Sequence, residues 1–97
     1  MKIKYDNQTI DVDNQSSHPK KEFYTYWNDY FIQVVPDEFV RKHHKKKNAW
    51  VVCCVDPVGS YLVDAVDYGT VRQMVQLCFD NIDVPFKTIE DFEDDGE

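Results

Sequence analysis

Hydrophobic and polar residues alternate near the start of the chain. Residues 2–5 and 9–12 each place an apolar side chain at every second position, and a polar stretch at 6–8 separates them. An alternation with a period of two is typical of a strand with one buried face. The pattern predicts a hairpin over about 2–12, with a buried face formed by Ile3, Tyr5, Ile10 and Val12.

The aromatic segment 22–35 fits two different structures. Its apolar residues recur at the spacing of one helical face, which favours an amphipathic helix over about 20–35. These residues are Phe23, Tyr26, Trp27, Tyr30, Phe31 and Val34. A hairpin that turns at Asn28-Asp29 stays open as the alternative, because aromatic and β-branched residues prefer strands. We predict the helix, since spacing is the stronger signal.

A short helix and a second hairpin are predicted after Pro36. Acidic residues at 37–38 and basic residues at 45–47 suit the two ends of a helix over about 36–46. Its buried side is expected to hold Phe39 and Val40, with His43 as a further candidate. Residues 49–55 form a continuous apolar run, which predicts a central strand. A turn signal at 56–60 and renewed alternation to residue 67 complete a hairpin over about 49–67.

The clearest helical pattern covers residues 70–82, with Asp67 or Gly69-Thr70 as its cap. From Glu90 onward six of eight residues are acidic, which is typical of a solvated tail. We therefore predict one α+β domain over 1–89 and an acidic C-terminal tail over 90–97. In this domain a small antiparallel sheet built from the two hairpins is covered by two or three helices, chiefly those at 20–35 and 70–82.

Charge is divided unequally between the two halves. Residues 1–48 hold nine Lys and Arg against seven Asp and Glu, whereas residues 49–97 hold two against eleven. The formal net charge is −7, although the run Arg41 to Lys47 supplies five of the eleven basic residues. An acidic field of this kind repels nucleic acid and attracts basic partners. We expect no direct contact with nucleic acid, and the basic run is interpreted as a solvated helix end or a counter-charge to the tail.

Cysteine usage and hydropathy favour a cytoplasmic protein. Cys53 and Cys54 are adjacent and Cys78 is distant, so the three residues provide no disulfide framework. No apolar stretch approaches the roughly 20 residues needed to span a bilayer. We expect no membrane contact.

The candidate chemical sites are weak. The adjacent histidines at 43–44 and cysteines at 53–54 diverge, unlike spaced zinc ligands. Three carboxylates lie on or beside one hairpin, at Asp56, Asp64 and Asp67. They offer oxygen ligands for a divalent cation, but no Lys, Glu or His accompanies them at a recognisable interval. The apolar run around the cysteines raises a thiol pKa and disfavours a nucleophile. We expect no enzymatic activity, no metal and no cofactor.

The remaining hypothesis is a non-catalytic acidic module that binds a basic, nucleic-acid-binding protein. Its sharpest form is an inhibitor whose carboxylates mimic nucleic acid on the partner's surface, as is common among phage and mobile-element products. Exposed aromatic residues are expected to anchor the interface. The alternative is a homo-oligomeric scaffold, such as a homodimer, or a small-ligand binder that uses the aromatic face of 23–31. The predicted partner-binding residues are Asp64, Asp67, Asp80, Asp83, Glu90, Asp91, Phe92, Glu93, Asp94, Asp95, Tyr24 and Trp27.

Overall fold

The computed structural model describes residues 1–82, which fold into six strands and two helices. In chain order the elements are β1 (Lys2–Tyr5), β2 (Gln8–Asp11), β3 (Phe23–Trp27), β4 (Tyr30–Pro36), α1 (Glu38–His43), β5 (Ala49–Val55), β6 (Tyr61–Tyr68) and α2 (Val71–Asp80). The strands form one two-stranded and one four-stranded sheet, both antiparallel. The predicted α+β class and antiparallel pairing are therefore confirmed.

The first predicted hairpin is present as β1 and β2. Asp6 and Asn7 join the strands with φ angles of 53° and 59°. Positive φ at both central residues defines a type I′ turn, and short polar side chains tolerate that backbone conformation. Ile3, Tyr5 and Val12 are buried in the core, as predicted. The hairpin does not join the main sheet; it forms a separate sheet that packs against α2.

The helix predicted over 20–35 is wrong, because this segment forms the hairpin β3–β4. Asn28 and Asp29 make its turn with φ angles of 47° and 66°, again the signature of type I′. Both faces of this hairpin carry apolar side chains, so the alternation expected of a half-exposed strand was hidden. The strand conformation is favoured because β4 pairs with β5 as well as with β3. Both sides of β4 therefore form hydrogen-bonded ladders.

The larger sheet has the strand order β3-β4-β5-β6. β5 occupies the predicted bounds 49–55 in an interior position, and it forms the predicted second hairpin with β6. The ladder between them is irregular at Cys54 and Val55, where Val55 pairs with Tyr61 and leaves an extra residue on β6. β3 and β6 are the two edge strands of this sheet.

The helix predicted over 36–46 is present in shorter form as α1. The Asp37 carboxylate caps it by accepting a hydrogen bond from the Val40 N–H at 3.0 Å. The predicted burial of Phe39 is wrong, since its side chain is 64% exposed, and the candidate His43 is exposed as well. Among the elements of residues 1–82, α1 packs mainly against β5, and none of its side chains is fully buried. Most of this short helix therefore faces solvent.

The predicted C-terminal helix is confirmed as α2. Thr70 and Gln73 form a capping box, in which each side chain receives a hydrogen bond from the other residue's backbone N–H. The buried side of α2 consists of Met74, Val75, Cys78 and Phe79.

α2 and the first hairpin lie on the same side of the four-stranded sheet and close one hydrophobic core. Ile32, Val34, Val52 and Cys54 supply its centre from the sheet, and none of the four exposes any side-chain surface. Because β4 and β5 are interior strands, their inward residues are covered by the helix above and by neighbours on either side. No helix within residues 1–82 is long and apolar enough to cross a membrane. The predicted tail 90–97 lies outside the described residues.

Candidate functional site

The four-stranded sheet has a second face, opposite to α2, that is also largely apolar. We call it the outer face. Cross-strand pairing places its members side by side, because residues that pair directly point to the same side of a sheet. The outer face consists of Tyr24, Tyr26, Phe31, Gln33, Val35, Ala49, Val51, Cys53, Val55, Tyr61, Asp64, Val66 and Tyr68.

Three aromatic rings form a cluster on the β3–β4 side of the outer face. The ring centroids of Tyr26 and Phe31 are 5.1 Å apart, and those of Tyr24 and Phe31 are 6.3 Å apart. Tyr24 and Tyr26 contact each other edge to face at 6.3 Å. The side chain of Tyr26 is 61% exposed, so the cluster presents a large ring with a polar tip to solvent.

Aliphatic residues extend the outer face from this cluster towards β6. Val51, Val55 and Val35 are half-buried, whereas Val66 and Tyr68 at the far edge are 45% and 48% exposed. Among residues 1–82, the elements that cover the sheet with apolar side chains, α2 and the first hairpin, lie on the opposite side. The outer face is therefore an extended apolar surface that α2 and the first hairpin leave uncovered, and only its end at Ala49 is fully buried among residues 1–82.

Charge on the outer face is limited to one carboxylate. Asp64 is exposed and pairs across the strands with Cys53. Burial raises the pKa of the Cys53 thiol, and the negative charge of Asp64 raises that pKa further. Cys53 is therefore a poor nucleophile at neutral pH, and it lies where a covering partner would shield it.

The described acidic candidates do not converge. Asp64 lies on the outer face, and Asp67 lies on the other side of the same strand, where its carboxylate accepts a hydrogen bond from the Tyr68 N–H at 2.7 Å. Asp80 is on α2 and accepts a hydrogen bond from Gln76 at 2.8 Å. These three residues belong to three different surfaces of the protein.

The other acidic candidates and Phe92 lie outside the described residues; they are Asp83, Glu90, Asp91, Glu93, Asp94 and Asp95. The division of charge nevertheless follows from the sequence. Residues 1–82 hold ten Lys and Arg against eleven Asp and Glu, whereas residues 83–97 hold one lysine against seven acids. Most of the net negative charge of the chain is therefore contributed by its last fifteen residues.

The two aromatic candidates lie on opposite sides of β3. Tyr24 belongs to the cluster on the outer face. Trp27 faces the core side, where its ring is 4.9 Å from that of Tyr5 and 5.2 Å from that of Phe79. The sequence did not identify Tyr26, Val66 and Tyr68 as surface residues. The Asn28-Asp29 turn would have identified Tyr26 as a surface residue, because the position of the turn determines which residues of the two flanking strands point to each face.

The basic run is held at one end of the sheet by Arg41. Its guanidinium lies 4.3 Å from the centre of the Trp50 ring, and its Nε donates a hydrogen bond to the Ala49 carbonyl at 2.8 Å. The Nη2 atom of Arg41 is buried and has no hydrogen-bond partner within residues 1–82. The lysines at 45–47 that follow are exposed.

The structure does not assemble the weaker chemical candidates. Within residues 1–82, no group of three or more His, Cys, Asp or Glu side chains is arranged to hold a metal ion, so Asp56, Asp64 and Asp67 do not form a cation site. Cys54 and Cys78 are buried neighbours. The hydrogen bond between them lowers the pKa of Cys54 and raises that of Cys78.

Comparison of the chain with known protein families, curated proteins and solved structures finds no match.

Proposed function

We propose that this chain is a non-catalytic protein-binding module whose outer face binds a basic protein. The observation that carries the proposal is the apolar surface of the outer face, which α2 and the first hairpin leave uncovered, with Tyr26 and its aromatic neighbours as anchors. Exposed tyrosines and other large rings supply much of the binding energy at protein interfaces. Contiguous apolar surface of this kind is uncommon on proteins that act alone.

The form of the surface favours a macromolecule over a small ligand. A sheet face is broad and shallow, whereas small molecules are usually bound in concave pockets. A concavity of about 300 Å³ does occur in the protein, but it lies on the other side, lined by residues that include Lys20, Trp50 and Val71. The aromatic cluster is therefore better suited to a protein partner than to the small-ligand alternative.

Charge supports a basic partner. The outer face contains Asp64 and no Lys, Arg or His. The acidic residues at 83–97 add to the negative field that such a partner would meet. In the sharper form of the proposal the partner is a nucleic-acid-binding protein, and the acids at 90–95 occupy the surface that normally holds phosphates.

The proposal is tested by capturing the partner and then measuring its affinity as a purified protein. Capture from lysate at low salt, elution with a salt gradient and mass spectrometry identify the candidate. The decisive step compares Tyr26→Ser with Val58→Ser, an exposed control in the turn before β6 that is 86% exposed. We expect about a tenfold or larger loss of affinity for Tyr26→Ser, in the range of a hot-spot residue, and no loss for the control.

A second set of variants addresses the charge. Replacement of Glu90, Asp91, Glu93 and Asp94 by their amides should weaken binding and reduce its dependence on salt. Equal affinity at low and high salt would exclude an electrostatic partner. Self-association that Tyr26→Ser abolishes, without any heterologous partner, would instead support the homo-oligomeric scaffold.

A further inference from the structure

The outer side of β6, which we call the free edge, carries a row of backbone hydrogen-bonding groups that pair with no other strand of residues 1–82. The Gly69 N–H donates to the Asn48 carbonyl at 3.0 Å, and this bond sets the phase of the β5–β6 ladder. Directly opposed residues in an antiparallel ladder alternate between bonded and non-bonded pairs. Ala65 therefore directs its N–H and C=O towards β5, whereas Asp64 and Val66 direct theirs away from the sheet.

The two edges of the sheet are not equivalent. The edge at β3 is covered by the preceding loop, in which the Gln15 N–H donates to the Tyr24 carbonyl at 2.8 Å. At the free edge the described residues cap only the Tyr68 N–H, through the side chain of Asp67. Edge strands are usually blunted by lysines, prolines or a covering segment. β6 contains no lysine or proline and reads YLVDAVDY.

The hairpin that forms the free edge carries only negative charge. Residues 49–68, which include the whole β5–β6 hairpin, contain no Lys, Arg or His and three acids, at positions 56, 64 and 67. Asp64, Val66 and Tyr68 share the outer face, so an added strand would meet a carboxylate, a β-branched side chain and an aromatic ring at alternate positions. A strand that carries Lys or Arg opposite Asp64 would form a favourable cross-strand pair.

We propose that the free edge binds an extended basic segment of the partner as an added antiparallel strand. This inference rests on the proposed function and names the surface and the peptide chemistry that it recognises. Main-chain hydrogen bonds to Asp64 and Val66 supply affinity, and the side chains on the outer face supply specificity. In an antiparallel partner strand, an aromatic residue opposite Tyr68 is followed two positions later by a β-branched residue and four positions later by Lys or Arg.

A second copy of this chain is the less favourable occupant. Two-fold pairing of β6 centred on Val66 would place Asp64 of each copy opposite Tyr68 of the other, which provides no ion pair. Each copy also carries a formal net charge of −7, so association would bring two acidic hairpins together. A basic strand would place Lys or Arg opposite Asp64 and form an ion pair there, whereas a second copy would place Tyr68 there and form none.

The test uses the whole 97-residue chain and a short capped peptide. Tyrosine, valine and lysine occupy alternate positions of the peptide, with threonine between them; a control peptide has glutamate in place of lysine. Binding is followed by NMR through the hydrogen exchange of individual backbone amides. We expect the lysine peptide to slow exchange at Asp64 and Val66 and to leave Ala65, which already bonds to β5, unchanged.

Two variants separate the backbone contribution from the charge. Val66→Pro removes one outward N–H without removing a bond to β5, and it should lower peptide affinity about tenfold or more relative to Val66→Thr. Asp64→Lys should weaken the lysine peptide about fivefold and strengthen the glutamate peptide. The measurement of Asp64→Lys with the lysine and glutamate peptides tests the proposal even if Val66→Pro fails to fold.

The other outcomes overturn the inference in distinguishable ways. Peptide-induced shifts that map to Tyr26 and Phe31 would exclude the free edge and leave the proposed function intact. Amide protection that appears without peptide and rises with protein concentration would identify a second copy as the occupant. A captured partner whose affinity is unchanged by both edge variants but lost in Tyr26→Ser would refute edge binding and retain the outer face.

Discussion

Replacing Ile32 and Tyr26 by alanine, one at a time, tests which faces of the aromatic segment are buried. In the structure Ile32 lies in the interior strand β4 and is fully buried, whereas Tyr26 is 61% exposed. In the rejected helix the positions would be exchanged, because Tyr26 belongs to the apolar stripe and Ile32 does not. The two substitutions therefore distinguish the folds directly.

The expected magnitudes follow from burial. Ile32→Ala removes a side chain from a closed part of the core, and such a cavity costs about 2–5 kcal/mol of unfolding free energy. Tyr26→Ala loses part of its contact with Phe31, a ring pair at 5.1 Å, which is worth about 1 kcal/mol. Both changes lower strand propensity alike, so the remaining difference of about 1–4 kcal/mol reports side-chain burial.

Urea denaturation followed by tryptophan fluorescence measures both values, since Trp27 and Trp50 lie beside the core. With a slope of about 1–3 kcal/mol per molar urea, Ile32→Ala should lower the midpoint by roughly 2 M and Tyr26→Ala by less than about 1 M. An equal or larger loss for Tyr26→Ala would refute the sheet register at β3–β4 and restore the helix.

Three further predictions concern single positions. The pH dependence of Cys53 alkylation should report a thiol pKa above the ordinary value of 9.0, because burial and the charge of Asp64 both disfavour the thiolate. Asp64→Asn should raise the alkylation rate, and identical rate–pH profiles for the native chain and this variant would contradict the coupling. Thr70→Ala breaks the capping box and should cost about 1 kcal/mol in urea denaturation, whereas Thr70→Ser should cost little. Asp29→Gly should match or exceed the thermal stability of the native chain, since Asp29 has a φ of 66°, while Asp29→Val should lower it.

Local signals predicted most of the elements. The polar stretch at 6–8, the apolar run at 49–55 and the capped periodic pattern at 70–82 each mark an element that the structure contains, although the first turn is confined to residues 6–7. In these segments the residues that favour an element locally are also the residues that its neighbours bury, so local and tertiary preferences agree. The bounds of β5 match the predicted 49–55 for that reason.

The error at 22–35 has a geometric cause. In a hairpin with a two-residue turn at 28–29, the register places Phe23, Trp27, Tyr30 and Val34 on one face. These positions are spaced by four, three and four residues, which is also the spacing of a helical stripe. Four of the six residues assigned to the helical face are core-facing in the sheet as well, so the hydrophobic pattern could not distinguish the two structures.

The sequence by itself determined the fold class, the second hairpin, the C-terminal helix and the concentration of acid in the last fifteen residues. These properties depend on composition and on contacts within short stretches of chain. Only the tertiary structure decided that β4 pairs with β5, because that ladder joins residues about twenty positions apart and competes with a locally plausible helix. That pairing extends the outer face from the β3–β4 hairpin across β5 and β6, and it places β6 at the edge of the sheet.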